Sequence, residues 1–207
     1  METMPEATFC ELTISYDERV LEPRSWTQAQ SAWAAELLAE LPPGPVLELC
    51  AGAGHIGLAA VRETPRELVM VDLNPAAEQF ALKNAAANGM GAQVEFRLAR
   101  LDAAVAPQEQ FGLIIADPPW VRSAETSRFP ADPLLAIDGG ADGLALARTC
   151  VDVIDRHLSQ EGSGLLQLGT TSQAEAVAAY AADELDGSLR LSETRVYGRG
   201  VLVRLVR

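Results

Sequence analysis

Short runs of apolar residues recur along this 207-residue chain, with helix-like stretches filling the gaps, and that alternation restricts its fold more than any other feature. The runs are Val46 to Leu49, Leu68 to Val71, Phe111 to Ala116 and Gly164 to Leu168. Being apolar on both faces, they read as strands covered from two sides, as strands of a parallel sheet are. Gln93 to Leu98 reads as a further strand. Two helix-free runs, Leu189 to Val196 and Gly200 to Val206, imply an antiparallel hairpin at one edge.

Helices are expected between these runs. One runs from a Thr27 cap to about Leu41, where Pro42-Pro43-Gly44-Pro45 stops it. A small-residue helix runs to about Arg62. Another opens at Pro75 and buries Ala77, Phe80, Ala81, Asn84 and Ala85 before Asn88-Gly89. Two more span about Gly143 to Leu158 and Gln173 to Leu185. The expected architecture is α/β: a doubly wound, Rossmann-like, mostly parallel seven-stranded sheet with an antiparallel edge hairpin. Residues 45–207 read as its single domain, and residues 1–44 as an N-terminal extension holding the first helix and an exposed strand over Phe9 to Tyr16.

In such a sheet ligands bind beyond the carboxyl ends of the strands, and two strand ends here carry chemistry. After Val46 to Leu49 comes Gly52-x-Gly54-x-x-Gly57, whose missing side chains let the backbone approach a ligand. The next strand ends at Asp72, where a carboxylate can accept two ribose hydroxyls. Together they indicate an adenosine-containing cofactor. A dinucleotide and S-adenosylmethionine both qualify, but Glu48 sets a carboxylate where a pyrophosphate is least welcome and a sulfonium is not, which favours S-adenosylmethionine.

The second strand end is Asp117-Pro118-Pro119-Trp120. An acid, a rigid turn and an indole delivered by a buried strand are candidate chemistry. The four residues resemble the reactive motif of amino-methyltransferases that act on a nitrogen attached to a planar, conjugated group. Such a nitrogen is a poor nucleophile because its lone pair is delocalised. The resemblance implies that the Asp117 carboxylate and the Pro118 carbonyl accept its two N–H groups, that Pro119 holds the turn rigid, and that Trp120 stacks on the planar group. Asp117 then orients rather than deprotonates, since an ordinary aspartate is too weak a base for an amide.

Within that superfamily the chain is most similar to the HemK/PrmC-type glutamine methyltransferases. Leu21 to Thr27 resembles their Pro-Arg-x-x-Thr segment, Glu48 to Ile56 their first glycine motif, and Pro133 to Leu144 the stretch after the reactive turn. The resemblance implies a cofactor site made of Arg24, Thr27, Glu48, Ala51, Gly52, Gly54, Asp72, Leu73 and Asp102, although Arg100 stands at the better-aligned place for the residue facing the adenine. Read from the residues themselves, Asp142 caps the helix that follows and Gly139-Gly140 can pass close to a ligand. The departures are a short segment ahead of Pro23-Arg24, Asp-Pro-Pro-Trp for Asn-Pro-Pro-Tyr, and Cys50 at the place of the motif's first glycine.

These readings give an S-adenosylmethionine-dependent N-methyltransferase whose acceptor is a protein glutamine-type amide. The alternatives are an adenine or guanine in RNA or DNA, a non-catalytic cofactor-binding partner module, and a nicotinamide-dependent reductase. A net charge of -13 repels a polyphosphate backbone and favours the protein acceptor. Arg122 and Arg128 are the candidates for holding an acidic or phosphate-bearing substrate. Cys10, Cys50 and Cys150 suggest neither disulfide nor zinc, and His55 and His157 lack companions at ligand spacing, so no metal is expected. The acidic start (Glu2, Glu6, Glu11) is unlike a signal peptide, so the expected location is the cytoplasm, away from membranes.

Overall fold

In the computed structural model, which describes residues 4–207, the N-terminal segment forms a hairpin of β1 (Glu6–Phe9) and β2 (Leu12–Ser15). Glu2 lies outside the described residues. The hairpin corrects the expected single exposed strand. Cys10 and Glu11 both take positive φ and turn the chain between two four-residue strands, without the Asn-Gly signature that marks such turns in a sequence. Nor is it exposed: Phe9, Leu12 and Ile14 are buried in the same cluster as Ile56, Leu58 and Phe80. Side-chain amides hold it there. Asn84 accepts from the Ser15 N–H at 2.9 Å and donates to the Ser15 carbonyl at 3.0 Å, and Asn88 treats Thr13 likewise.

The first helix, α1 (Gln28–Glu40), is entered through a 3-10 turn over Ser25–Thr27. Thr27 does not cap it. Its backbone is already helical, and its hydroxyl donates to the Arg24 carbonyl instead. Thereafter come β3 (Val46–Leu49), α2 (His55–Val61), β4 (Leu68–Asp72), α3 (Pro75–Ala87), β5 (Val94–Leu98), β6 (Phe111–Ala116), the short α4 (Leu134–Ile137), α5 (Ala145–His157), β7 (Leu158–Leu168), α6 (Thr171–Glu184), β8 (Arg190–Tyr197) and β9 (Gly200–Val206). Strand β7 starts at Leu158 rather than Gly164 because its first turn out of the core is polar and exposed, which an apolar-run criterion does not see.

The main sheet has seven strands in the order β5-β4-β3-β6-β7-β9-β8. The first five pair in parallel, and β7-β9-β8 are antiparallel. Helices cover both faces. Residues of α1, α2 and α3 pack with Val46, Met70, Leu113 and Ile115, whereas α5 and α6 pack on Leu47, Val71, Ile114 and Leu166. Alternation along each strand thus divides one sheet between two cores. From β3 the chain proceeds to one side through β4 and β5, and β6 then returns to its other side, so a switch point opens beyond the carboxyl ends of β3 and β6.

Candidate active site

Register puts the two sequence motifs side by side. Leu49 pairs with both Val71 and Ala116, so Cys50, Asp72 and Asp117 leave adjacent strands at the same level. A cavity of about 190 Å³ lies over these ends. Ala51, Gly52, Asp72, Leu73, Asp102, Asp117 and Pro119, all proposed from sequence, line it, together with His55 and Arg100.

The glycine turn is held by carboxylates. Asp72 accepts the Gly52 N–H on one oxygen and the Asn74 N–H on the other, each at 2.9 Å. Each oxygen keeps a second lone pair for a ligand hydroxyl. Gly52 has positive φ, and a Cβ on it would meet nothing within 4 Å, so its open side faces the cavity. Gly54 is needed for a different reason: its φ is +78°, and a Cβ would lie 3.0 Å from the Met70 methyl and 3.2 Å from the Ala81 Cβ. Gly54 therefore packs the turn and does not line the cavity.

Glu48 also differs from its expected place. It is 2% exposed and lies behind the cavity wall, where one carboxylate oxygen accepts the Gly57 N–H at 2.9 Å and the other has no partner among the described residues. Burial, with the nearby Asp117 and Asp72 charges adding to it, pushes its carboxyl up to about 8. It braces the turn from beneath in protonated form. Arg24 and Thr27 are likewise absent from the cavity lining: Arg24 pairs with Asp132 at 2.5 Å and lies over the Trp26 ring.

The reactive turn is delivered by β6. Burial raises the Asp117 carboxyl to about 7, and burial also raises that of Asp72 against the pull of its backbone donors. Asp117 and Pro119 face the cavity; Pro118 is buried beside them without lining it. Trp120 turns the other way. Its ring lies against Gly169, where a Cβ would be 2.3 Å from Cε3, and it borders an outer cleft of about 630 Å³ shared with Arg122, Arg128, Phe129 and Arg148. The turn is therefore the wall between cavity and cleft.

The glycine-rich stretch after the turn is fastened to it. Val121 N–H donates to the Ile137 carbonyl at 3.0 Å and Gly139 N–H to the Val121 carbonyl at 2.8 Å. A Cβ on Gly139 would stand 2.7 Å from the Pro119 carbonyl oxygen, so only glycine fits. Asp142 accepts the Leu144 N–H at 3.0 Å ahead of α5 and pairs with Arg148.

Further side chains support the site in roles that the sequence does not signal. Gln30, wholly buried on α1, donates to the carbonyls of Ala116 and Leu165 at 2.9 and 3.2 Å and so holds the end of β6. A glutamine among Trp33, Ala34 and Leu37 was the only available hint. His55, kept neutral because burial lowers its pKa to about 4, lines the cavity. The Cys50 thiol is held protonated by a hydrogen bond with Cys150 and by burial.

Charge decides what the cavity suits. Its lining carries Asp72, Asp102 and Asp117, and its cation, Arg100, is paired with Asp102 at 3.1 Å. Among the described residues no free cation remains in the lining for a pyrophosphate, whereas hydroxyls and a positively charged group find acceptors.

A family model described as methyltransferase small domain matches residues 28–137. The release factor glutamine methyltransferase of Koribacter versatilis is 32% identical over 72% of this chain and 55% of its own length. That of Cereibacter sphaeroides is 35% identical over 76% and 56%, and the ribosomal protein uL3 glutamine methyltransferase of Bradyrhizobium diazoefficiens is 30% identical over 74% and 52%. The chain thus spans about half the length of these relatives. Among solved structures, a ribosomal protein L11 methylase from Lactobacillus delbrueckii subsp. bulgaricus superposes with a TM-score of 0.68 at 18% identity, covering 94% of this chain and 84% of that one. A human methyltransferase 10 domain containing protein gives 0.67 at 11% identity, covering 94% and 88%. The fold is shared with such proteins.

Proposed function

Because the chain belongs to the methyltransferase small-domain family, we propose that it transfers a methyl group from S-adenosylmethionine to the side-chain amide nitrogen of a protein glutamine. The observation that carries this reading is that Asp117 and Pro119 line the same cavity as Asp72 and Gly52. When bound, S-adenosylmethionine supplies an electrophilic methyl on a sulfonium. Asp72 would receive a ribose hydroxyl on lone pairs that Gly52 and Asn74 leave free, and the Gly52 backbone would permit close approach.

An N–H of the acceptor amide would be taken by the Asp117 carboxylate, which faces the cavity, so that the nitrogen lone pair is aimed at the methyl and made more electron-rich. Burial of Asp117 strengthens that interaction, because acceptors act more strongly where water is excluded. The proton lost after transfer passes to solvent through the cavity mouth.

The acceptors to try are those in the relatives' names, a bacterial release factor and ribosomal protein uL3. Each is incubated with this protein and S-adenosylmethionine labelled in the methyl group, and label is sought on glutamine by peptide mass spectrometry. Label on a glutamine that vanishes with Asp117→Ala supports the reading. Label on RNA or DNA bases, or calorimetric binding of NADH instead of S-adenosylmethionine, overturns it.

A further inference from the structure

One side chain joins the reactive turn to the two segments behind it. Gln173, in the first turn of α6, donates through Nε2 to the Trp120 carbonyl at 3.0 Å and to the Gly143 carbonyl at 3.3 Å, while its Oε1 accepts the Gly169 N–H at 3.0 Å. Its own backbone N–H donates to the Thr170 hydroxyl at 3.2 Å, which caps the helix and fixes where the side chain starts. The amide thus holds the strand-to-turn junction after β6, the glycine stretch before α5 and the exit of β7.

Two glycines leave room for that amide. A Cβ on Gly143 would lie 2.7 Å from Nε2 and 2.5 Å from the Trp120 carbonyl oxygen, and one on Gly169 would lie 3.0 Å from Oε1. Side chains there would expel it. The turn needs such a hold because prolines fix φ at two positions but leave ψ of Pro119 and the Trp120 peptide free. Anchoring the Trp120 carbonyl removes that freedom.

We propose that Gln173 is the positioning residue of the reactive turn: by fixing the Trp120 peptide it sets the direction in which Asp117 faces the acceptor nitrogen. The catalytic part of this inference rests on the proposed methyl transfer; the mechanical part does not. A displacement of about 1 Å at a reacting centre can cost roughly 10²-fold in rate, so a side chain that borders the outer cleft rather than the cavity can still govern turnover.

The test compares the parent protein with Gln173→Ala and with Gln173→Glu, which keeps the shape and an acceptor for Gly169 but loses the donors when ionised. Amide hydrogen exchange is read first, without any acceptor. The expectation is faster exchange over residues 119–123, 139–145 and 169–170 in both variants, with α1 and β3 unchanged. Titration with S-adenosylmethionine should give a Kd within about twofold of the parent, and kcat on release factor or uL3 should fall at least about tenfold with KM little moved. As pH falls, Gln173→Glu should regain activity relative to the parent, because a protonated carboxyl can donate to the Trp120 carbonyl again. Unchanged exchange in the three segments, or cofactor affinity lost in step with turnover, overturns the inference. Should the parent methylate neither acceptor, the proposed activity fails on its own account, and exchange and cofactor affinity alone decide whether Gln173 holds the turn.

Discussion

The Arg24 guanidinium meets the Asp132 carboxylate at 2.5 Å although 108 residues separate them. The pair ties the segment that contributes Val20 and Leu21 to the cavity to the start of α4, which contributes Leu135 and Ala136, so it closes the cavity rim without touching its contents. Partly buried, it is expected to contribute about 1 kcal/mol of coupling. Arg24→Ala and Asp132→Ala should each weaken S-adenosylmethionine binding several-fold, and the double variant should be no weaker than either. Calorimetric titration of the four proteins checks this; fully additive losses would show that the two residues act separately.

On the proposed function, Asp72 and Asp117 should divide the labour between affinity and turnover. Asp72 holds Gly52 and Asn74 and presents free lone pairs, so Asp72→Ala should raise the Kd for S-adenosylmethionine by about 10- to 100-fold, the range expected for hydrogen bonds to a charged acceptor. Asp117→Ala should leave that Kd within a few-fold and lower kcat by about 10²-fold. Equal affinity loss in both variants would erase the distinction.

Much of this was legible because the relevant signals are local. Apolar runs marked the strands of the sheet, Pro75 and Asn88-Gly89 bracketed α3, and the expected edge hairpin is β8 and β9. Asp72, Gly52 and Asp117 converge because parallel register aligns strand ends that the sequence separates. What stayed hidden depends on direction rather than spacing. Glu48 and Trp120 sit in the right motifs but face away from the cavity, one beneath Gly57 and the other against Gly169, and only packing decides which way a side chain points. Gln30 and Gln173 act through carbonyls 86 and 53 residues away, a relation no periodicity reports.

Burial raises the Asp117 carboxyl to about 7, so the ionised form, which the proposed function assigns to acceptor binding, is half populated near neutrality. Because an acid loses its proton as pH rises, kcat/KM should climb through about pH 7 and level off above it. Asp117→Asn, which cannot titrate, should give low activity without that rise. A rise of the same midpoint in Asp117→Asn would assign it to another group.

Glu48 places a pH-dependent load on the fold. Its carboxyl is raised from 4.5 to about 8, so between those values the folded chain binds a proton that the unfolded chain has released. Stability therefore falls as pH rises through that window, and above about 8 the whole penalty of an ionised, buried carboxylate is felt, a few kcal/mol at most. Glu48→Gln keeps an oxygen for the Gly57 N–H but cannot ionise. At about pH 5 the variant should match the parent or fall slightly below it, since its amide N–H groups have no acceptor in place of the unpartnered oxygen. By about pH 9 it should melt at the higher temperature, with the difference in Tm widening steadily between. Thermal unfolding of both proteins across that range checks the sign, and a Tm difference independent of pH would mean that Glu48 is already ionised in the folded protein.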